Sequence, residues 1–378
     1  MNSKVFETII VGAGISGLAC ARHLQQFSED FLVVSKDIGG RILQSDDGMV
    51  NYGAFFVCSD YSNLLKYVKI KSRIKLSDFC FHNNNKIYFL FEPKLLAYMF
   101  QFMKLLRIQY KFRKALRTFR INTEAISQKK AIESNSLLYN LYLKNANDFI
   151  NELKIQSGTD TYLSKGLYST TFSKTCEMNA FSFLQFLLPL ITPIYTFSFE
   201  KEKIIEPIKD KIIIGSVNDI QYKNGQYKIK ADNTILSTKN IVLATPISWS
   251  KYYANIKKTN KSVSTHMFHI SGIPKDIVTR KSYQLFSPLG NEQAIADLKD
   301  GTYLFYNKDN YPPLKKYFSK PKIISHHFWN PAGTINGHTL IESNRGNNMY
   351  LIGDFNVAGL EESYISGLYA ANQIKQSI

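Results

Sequence analysis

Cysteine is scarce in this sequence: Cys20, Cys58, Cys80 and Cys176 are scattered, and no two of them form a C-x-x-C pair. That spacing argues against a disulfide framework and against a zinc or iron–sulfur centre, so no metal site is expected and a reducing compartment is. Acidic residues are also few, with 30 Asp and Glu against 47 Lys and Arg, and the 378 residues carry a net charge of +17. An acidic substrate, a nucleic acid and an anionic membrane surface all suit such a charge. No internal repeat or low-complexity linker interrupts the chain. No basic segment precedes an apolar run at the N-terminus, which makes a cytoplasmic location the expectation.

Long uncharged stretches are nearly absent as well, the exception being residues 178–199. Its length approaches the roughly 20 residues that span a bilayer. Gln185, Pro189 and Pro193 argue against a span and for a buried helix ending near Pro189, followed by an extended segment. Its apolar residues from Phe181 to Leu188 are either core or the lining of an apolar substrate tunnel.

What remains is an apolar globular chain, 44% hydrophobic, long enough for two interleaved domains. Thr8 to Val11 reads as a strand, Ile15 to Phe27 as a helix and Phe31 to Val34 as a buried strand, the β-α-β unit that opens a doubly wound parallel sheet. Residues 61–199 change to helical segments rich in Phe, Tyr, Leu and Lys. Strands are predicted again around the Lys223-Asn224-Gly225 turn, at Asn240 to Ala244, at Ser264 to Ile270 and at Met349 to Ile352, before a closing helix from about Glu362 to Ile374.

Between the first strand and helix lies Gly12-Ala13-Gly14-Ile15-Ser16-Gly17, a G-x-G-x-x-G sequence. Glycines there permit a tight turn, close approach to a pyrophosphate and close packing of helix on strand, with the helix N-terminus facing the phosphates. An acid about 20 residues further on would bind a ribose hydroxyl. Ser35 holds that position, followed by Lys36 and Asp37. Either the Ser35 hydroxyl makes the contact, or Asp37 reaches back, or the ribose is held differently.

Ile38-Gly39-Gly40-Arg41 resembles the second signature of the flavin-dependent amine oxidase, protoporphyrinogen oxidase and phytoene desaturase superfamily. Gly48 to Ala54 is similar to the next family segment, with Asn51 where an aspartate is usual, and the stretch from Glu206 to Val217 resembles the one whose backbone meets the adenine. Gly353-Asp354 followed by Leu360-Glu361-Glu362-Ser363-Tyr364-Ile365-Ser366-Gly367 is similar to the family's C-terminal strand and helix, with Glu362 where a glycine is usual. The resemblance implies an α/β fold: a Rossmann-like FAD-binding domain of residues 1–60, 200–250 and 340–378, with an interleaved α+β substrate domain of residues 61–199 and 251–339. It also implies FAD as cofactor. Gly12, Gly14, Ser16, Gly17, Ser35, Lys36, Gly39, Gly40, Arg41, Val217, Gly353, Asp354, Glu361, Glu362 and Ser363 are its expected contacts.

In that superfamily the flavin takes a hydride from a C–N or C–C bond, and the protein positions the substrate and excludes water. Some members place a lysine near the flavin on the strand that here reads Ser264 to His269. His266 is the nearest candidate for that place, and Trp329 and Tyr364 are candidates for aromatic walls. Each can equally be an ordinary packed or half-exposed side chain. Between Lys94 and Lys130, ten basic residues accompany one acid, Glu124, and interleave with apolar residues from Leu95 to Phe119. This is a basic amphipathic region: a solvated face, or a patch for an anionic membrane surface. With no nucleic-acid module in the sequence, the expected function is an FAD-dependent oxidoreductase acting on a lipophilic, isoprenoid-like small molecule. A soluble amine or small-molecule oxidase and a non-catalytic FAD-binding interaction protein are the alternatives.

Overall fold

A computed structural model describes residues 4–28, 30–83 and 86–377. Its first sheet is built outward from the strand Val5–Gly14, whose Ile9, Ile10 and Val11 are buried because the strand has a parallel neighbour on each side. Phe31–Gly39 lies along one edge and Thr234–Leu243 along the other. The second of these strands serves two further partners. Its first half pairs antiparallel with Gln226–Ala231, and Ile241, Val242 and Leu243 pair in parallel with Met349–Leu351. Asn224 and Gly225, at φ of 53° and 75°, close the hairpin between Val217–Lys223 and Gln226–Ala231, the two positive-φ positions that a primed two-residue turn demands.

The helices Ile15–Leu24 and Leu360–Ser377 pack together against this sheet and share one core with Ile10, Val33 and Val242. They approach backbone to backbone. A Cβ on Gly367 would lie 2.2 Å from the Ser16 carbonyl oxygen, so only glycine allows the contact.

A second, seven-stranded sheet begins at one edge with the long hairpin of Phe318–Asn336 and Lys261–Pro274 and ends at the other with Phe79–Asn83 and Lys86–Phe89. Helices from Met99–Asn122 to Ala180–Phe186 form their own apolar core beside it, with Phe112, Leu116, Phe181 and Phe183 inside. The strands of the first sheet thus come from residues 5–39, 212–243 and 349–351, and those of the second from 79–89 and 261–336.

Two expectations need correction. Residues 61–199 are not purely helical, since Val68–Ile74, Phe79–Asn83, Lys86–Phe89 and Ile194–Phe199 are strands. The partner of Val68–Ile74 is Ile194–Phe199, more than a hundred residues away, and a strand stabilised by so distant a neighbour leaves little local signature. The uncharged stretch 178–199 divides into the helix Ala180–Phe186, a 3-10 turn at Leu188–Leu190 and that strand. Phe181, Phe183 and Leu184 are packed core rather than the lining of a tunnel. Among the described residues no helix is long and apolar enough to cross a membrane.

Candidate functional site

The glycine turn is built by three different constraints. Gly12 adopts φ +109°, and a Cβ there would come within 2.7 Å of the Ala244 carbonyl oxygen. At Gly17 a Cβ would lie 1.9 Å from the Gly12 carbonyl oxygen, which fixes how closely helix and strand meet. Gly14 is different: nothing stands within 4 Å of the place its Cβ would take. Gly14 is also the N-cap of the helix Ile15–Leu24, and no side chain caps it. The first N–H groups of that helix, at its positive dipole end, are therefore uncapped, and they adjoin a residue with no side chain and open space at its Cβ position. Those features fit a dinucleotide pyrophosphate.

Neighbouring residues lock the turn. Beyond a bulge, Ile38 and Gly39 pair with Ala13 and Gly14, and Gly40 packs so that a Cβ would sit 3.1 Å from the Gly14 Cα. The Ser35 hydroxyl accepts the Ala13 N–H at 3.0 Å and donates to the Asp37 carbonyl at 2.7 Å. Ser35 is thus part of the turn's scaffold. Lys36 and Asp37 are exposed, and the Gly215 N–H bonds the Ser35 carbonyl, bringing the segment before Val217 to this end of the sheet.

On the other side Arg41 Nη1 reaches Asp354 Oδ2 at 2.6 Å and the Ala332 carbonyl at 3.2 Å. The Thr334 N–H also donates to Asp354 Oδ2, at 3.1 Å. Burial pushes the Asp354 carboxyl up, but the guanidinium and this N–H together hold it below the usual carboxylate value. Gly353, at φ +124°, lies over Ser16 and donates its N–H to Ser366 Oγ at 2.9 Å. Ser16, Gly353 and Asp354 are therefore joined around the start of the first helix.

At the start of the C-terminal helix the charged side chains turn elsewhere. Glu361 is fully buried and accepts the N–H groups of Ser62, Asn63 and Leu64 at 2.8 to 3.0 Å. Glu362 Oε1 accepts Arg120 Nε and Nη2 at 2.9 and 2.8 Å, pinning this helix to Met99–Asn122. Burial raises the Glu362 carboxyl above its ordinary value despite that partner. Ser363 donates its N–H to the Gly359 carbonyl.

The three catalytic candidates are not brought together. Tyr364 is in the first core, its ring tilted against Tyr67 at 5.9 Å. His266 lies on the outward face of its sheet, 2.9 Å from His326 and stacked on Phe328 at 4.3 Å. Burial and His326 both push its imidazole below the ordinary value. Trp329 lies on the opposite face, donates Nε1–H to the Tyr52 carbonyl at 3.0 Å, and comes within 3.4 Å of a Cβ placed on Gly53. Gly53 in turn packs on the Arg41 carbonyl, so Trp329 adjoins the segment that carries Arg41.

Beside it is a cluster the motifs do not announce. Tyr52 stacks on His327 at 4.8 Å and its hydroxyl pairs with His269 Nδ1 at 3.2 Å, while His269 Nε2 reaches Thr302 Oγ1 at 2.9 Å. Strand alternation was the available signal: Met267 and His269, and His327 and Trp329, sit two residues apart and so share one face.

Residues 10–70 match the family model of an NAD(P)-binding Rossmann-like domain. Over 64 residues the chain is 42% identical to a possible lysine-specific histone demethylase 1 of Drosophila melanogaster, a match covering 16% of this chain and 7% of that protein. Cyclohexylamine oxidase from Brevibacterium oxydans superposes with a TM-score of 0.66 at 14% identity, covering 99% of both chains. Putrescine oxidase bound to putrescine gives 0.66 at 12% identity, also over 99% of both. The chain has the fold of these two amine oxidases. A conjugated-linoleic-acid-producing fatty acid isomerase from P. acnes shares this amine oxidase fold, with a TM-score of 0.68 at 14% identity over 100% of this chain and 99% of that one. In this fold the glycine turn, Arg41 and Asp354 all lie where the strand Val5–Gly14, the strand Phe31–Gly39 and the C-terminal helix converge.

Proposed function

We propose that the protein is an FAD-dependent oxidoreductase that removes a hydride from an organic, lipophilic substrate. When bound, the flavin supplies the hydride acceptor. The residues of this chain do the rest. The uncapped N–H groups at the start of helix Ile15–Leu24 would hold the pyrophosphate, Gly14 would let it approach, and Ser35 keeps the turn in shape. Asp354, fixed by Arg41, would accept a hydrogen bond from a hydroxyl of the chain that links pyrophosphate to flavin. Trp329 and Tyr52 would form an aromatic wall beside the substrate. The observation that carries this reading is the open face of Gly14 at an uncapped helix start. The P. acnes fatty acid isomerase of the same fold supports a lipophilic substrate.

Anaerobic mixing of the FAD-loaded protein with isoprenoid and fatty-acid substrates tests it. Bleaching of the flavin by one of them is expected, and bleaching by none of them, with ready photoreduction, would overturn the substrate class. A second reading, oxidation of a small amine, is favoured by the putrescine and cyclohexylamine oxidases among the similar structures. It predicts hydrogen peroxide release with a diamine or a cyclic amine instead.

A further inference from the structure

The helix Met99–Asn122 and the 3-10 turn Pro93–Tyr98 before it have an inner face that belongs to the fold and an outer face on which no other element packs among the described residues. Leu105, Phe112, Leu116 and Phe119 are buried in the helical core. On the outside Leu96, Met99, Phe100 and Met103 are 70%, 44%, 78% and 42% exposed, and Phe91 just ahead of them is 68% exposed. Spacings of three and four residues put these side chains in one stripe. Soluble surfaces rarely carry so many large apolar groups side by side.

Further along, the same face changes character. Lys104, Arg107, Lys111, Lys114 and Arg117 are exposed, and among the described residues none is within ion-pair distance of a carboxylate. Two other arginines of this helix, Arg113 and Arg120, are turned inward to Asp60 and Glu362. Lys104 Nζ also donates to the Leu153 carbonyl at 3.4 Å, while among the described residues the side chains of Arg107, Lys111, Lys114 and Arg117 have no hydrogen bond or ion pair within the fold. Tyr110 and Ile121 are interspersed with them, 61% and 72% exposed.

We propose that this face is a docking surface for an anionic lipid bilayer. The apolar end enters the boundary between headgroups and acyl chains, and the cations lie at the level of the lipid phosphates. At 1.5 Å per residue, Arg117 is about 20 Å from Met103 along the axis, well beyond the Debye length of about 8 Å at physiological salt. All the cations can act only if the helix lies along the membrane plane, and the shared face allows that. Charge complementarity selects anionic lipid as the occupant, and the bulky apolar end distinguishes a bilayer from an acidic protein or polymer. This goes beyond the oxidoreductase reading and stands or falls independently of the cofactor.

Sedimentation of the full chain with vesicles tests it. At about 0.15 M salt the protein is expected to pellet with phosphatidylcholine containing about one third phosphatidylserine, and at least about tenfold more weakly with phosphatidylcholine alone. Two variants, Leu96→Asp with Phe100→Asp and Lys111→Glu with Lys114→Glu, should each lose at least about tenfold in binding while keeping the thermal midpoint. Should the first variant fail to fold, Phe100→Trp serves instead, and its fluorescence should shift to the blue on anionic vesicles. Wild-type protein left in the supernatant, unchanged binding by the Leu96→Asp, Phe100→Asp variant, an unshifted Phe100→Trp spectrum, or binding to polyglutamate but not to vesicles would each overturn the proposal.

Discussion

Arg41 Nη1 lies 2.6 Å from Asp354 Oδ2, tying a residue just past the second strand to one just past the last. With the Thr334 N–H on the same oxygen, this contact fixes the Asp354 carboxylate beside Gly353, which packs on Ser16 at the start of the first helix. Asp354→Asn keeps the shape and removes the charge. It should weaken FAD binding by about tenfold or more, the scale of one charged hydrogen bond, while a flavin fluorescence titration reads the change. An unaltered affinity would remove Asp354 from the site.

Gly14 and Gly17 should respond oppositely to alanine. At Gly17 a Cβ meets the Gly12 carbonyl at 1.9 Å, so Gly17→Ala should cost about 3 kcal/mol of stability. Gly14 has φ −73° and open space, so Gly14→Ala should leave the cofactor-free protein within about 0.5 kcal/mol of wild type. Its methyl group nevertheless stands where the pyrophosphate approaches, and FAD affinity should fall at least about tenfold. Denaturant unfolding and FAD titration of both variants separate the two roles.

The Arg120–Glu362 pair is a structural clamp between the helices Met99–Asn122 and Leu360–Ser377. Arg120 is 6% exposed and Glu362 1%, and Asp60 adds a second buried carboxylate 3.5 Å from the guanidinium. Arg120→Met leaves both carboxylates without their main compensating charge and should cost about 3–5 kcal/mol. Urea unfolding measures it, and a loss under about 1 kcal/mol would show that the pair is exchangeable.

Stability should fall on the acid side of neutrality. Burial holds His82 and His269 below their ordinary value of 6.5, so the folded state keeps them neutral while the unfolded chain takes up protons there. Their contribution is complete above pH 6.5 and is lost as the pH drops below it. The urea midpoint should decline from about pH 7 to about pH 5.5, and less steeply in a His82→Gln, His269→Gln double variant. An identical pH profile in that variant would contradict the assignment.

The parts of this fold that sequence reveals are those set by local geometry. Gly12, Gly17 and the Asn224-Gly225 turn are legible because backbone conformation or close approach admits few other residues there. Gly39-Gly40-Arg41 and Gly353-Asp354 stand out in the sequence for another reason, their resemblance to a family's signatures. Side-chain direction is not legible. Phe100 and Tyr110, which interleave with the basic residues as if they were core, turn outward, because which face of Met99–Asn122 is buried depends on helices far along the chain. Ser35 stands where a ribose ligand is expected yet is hydrogen-bonded to the turn itself, and no pattern in the sequence distinguishes the two roles. His266 was the conspicuous histidine, but alternation along the strand gives the inward places to His269 and His327.

The most direct test of the central claim is the visible absorption spectrum of the purified chain after incubation with FAD and removal of the excess. The two bands of oxidised flavin are expected at about one equivalent per chain, with their loss in Gly14→Ala protein that remains folded. A folded wild-type protein that stays colourless, or a Gly14→Ala variant that binds FAD as well as wild type, would contradict it.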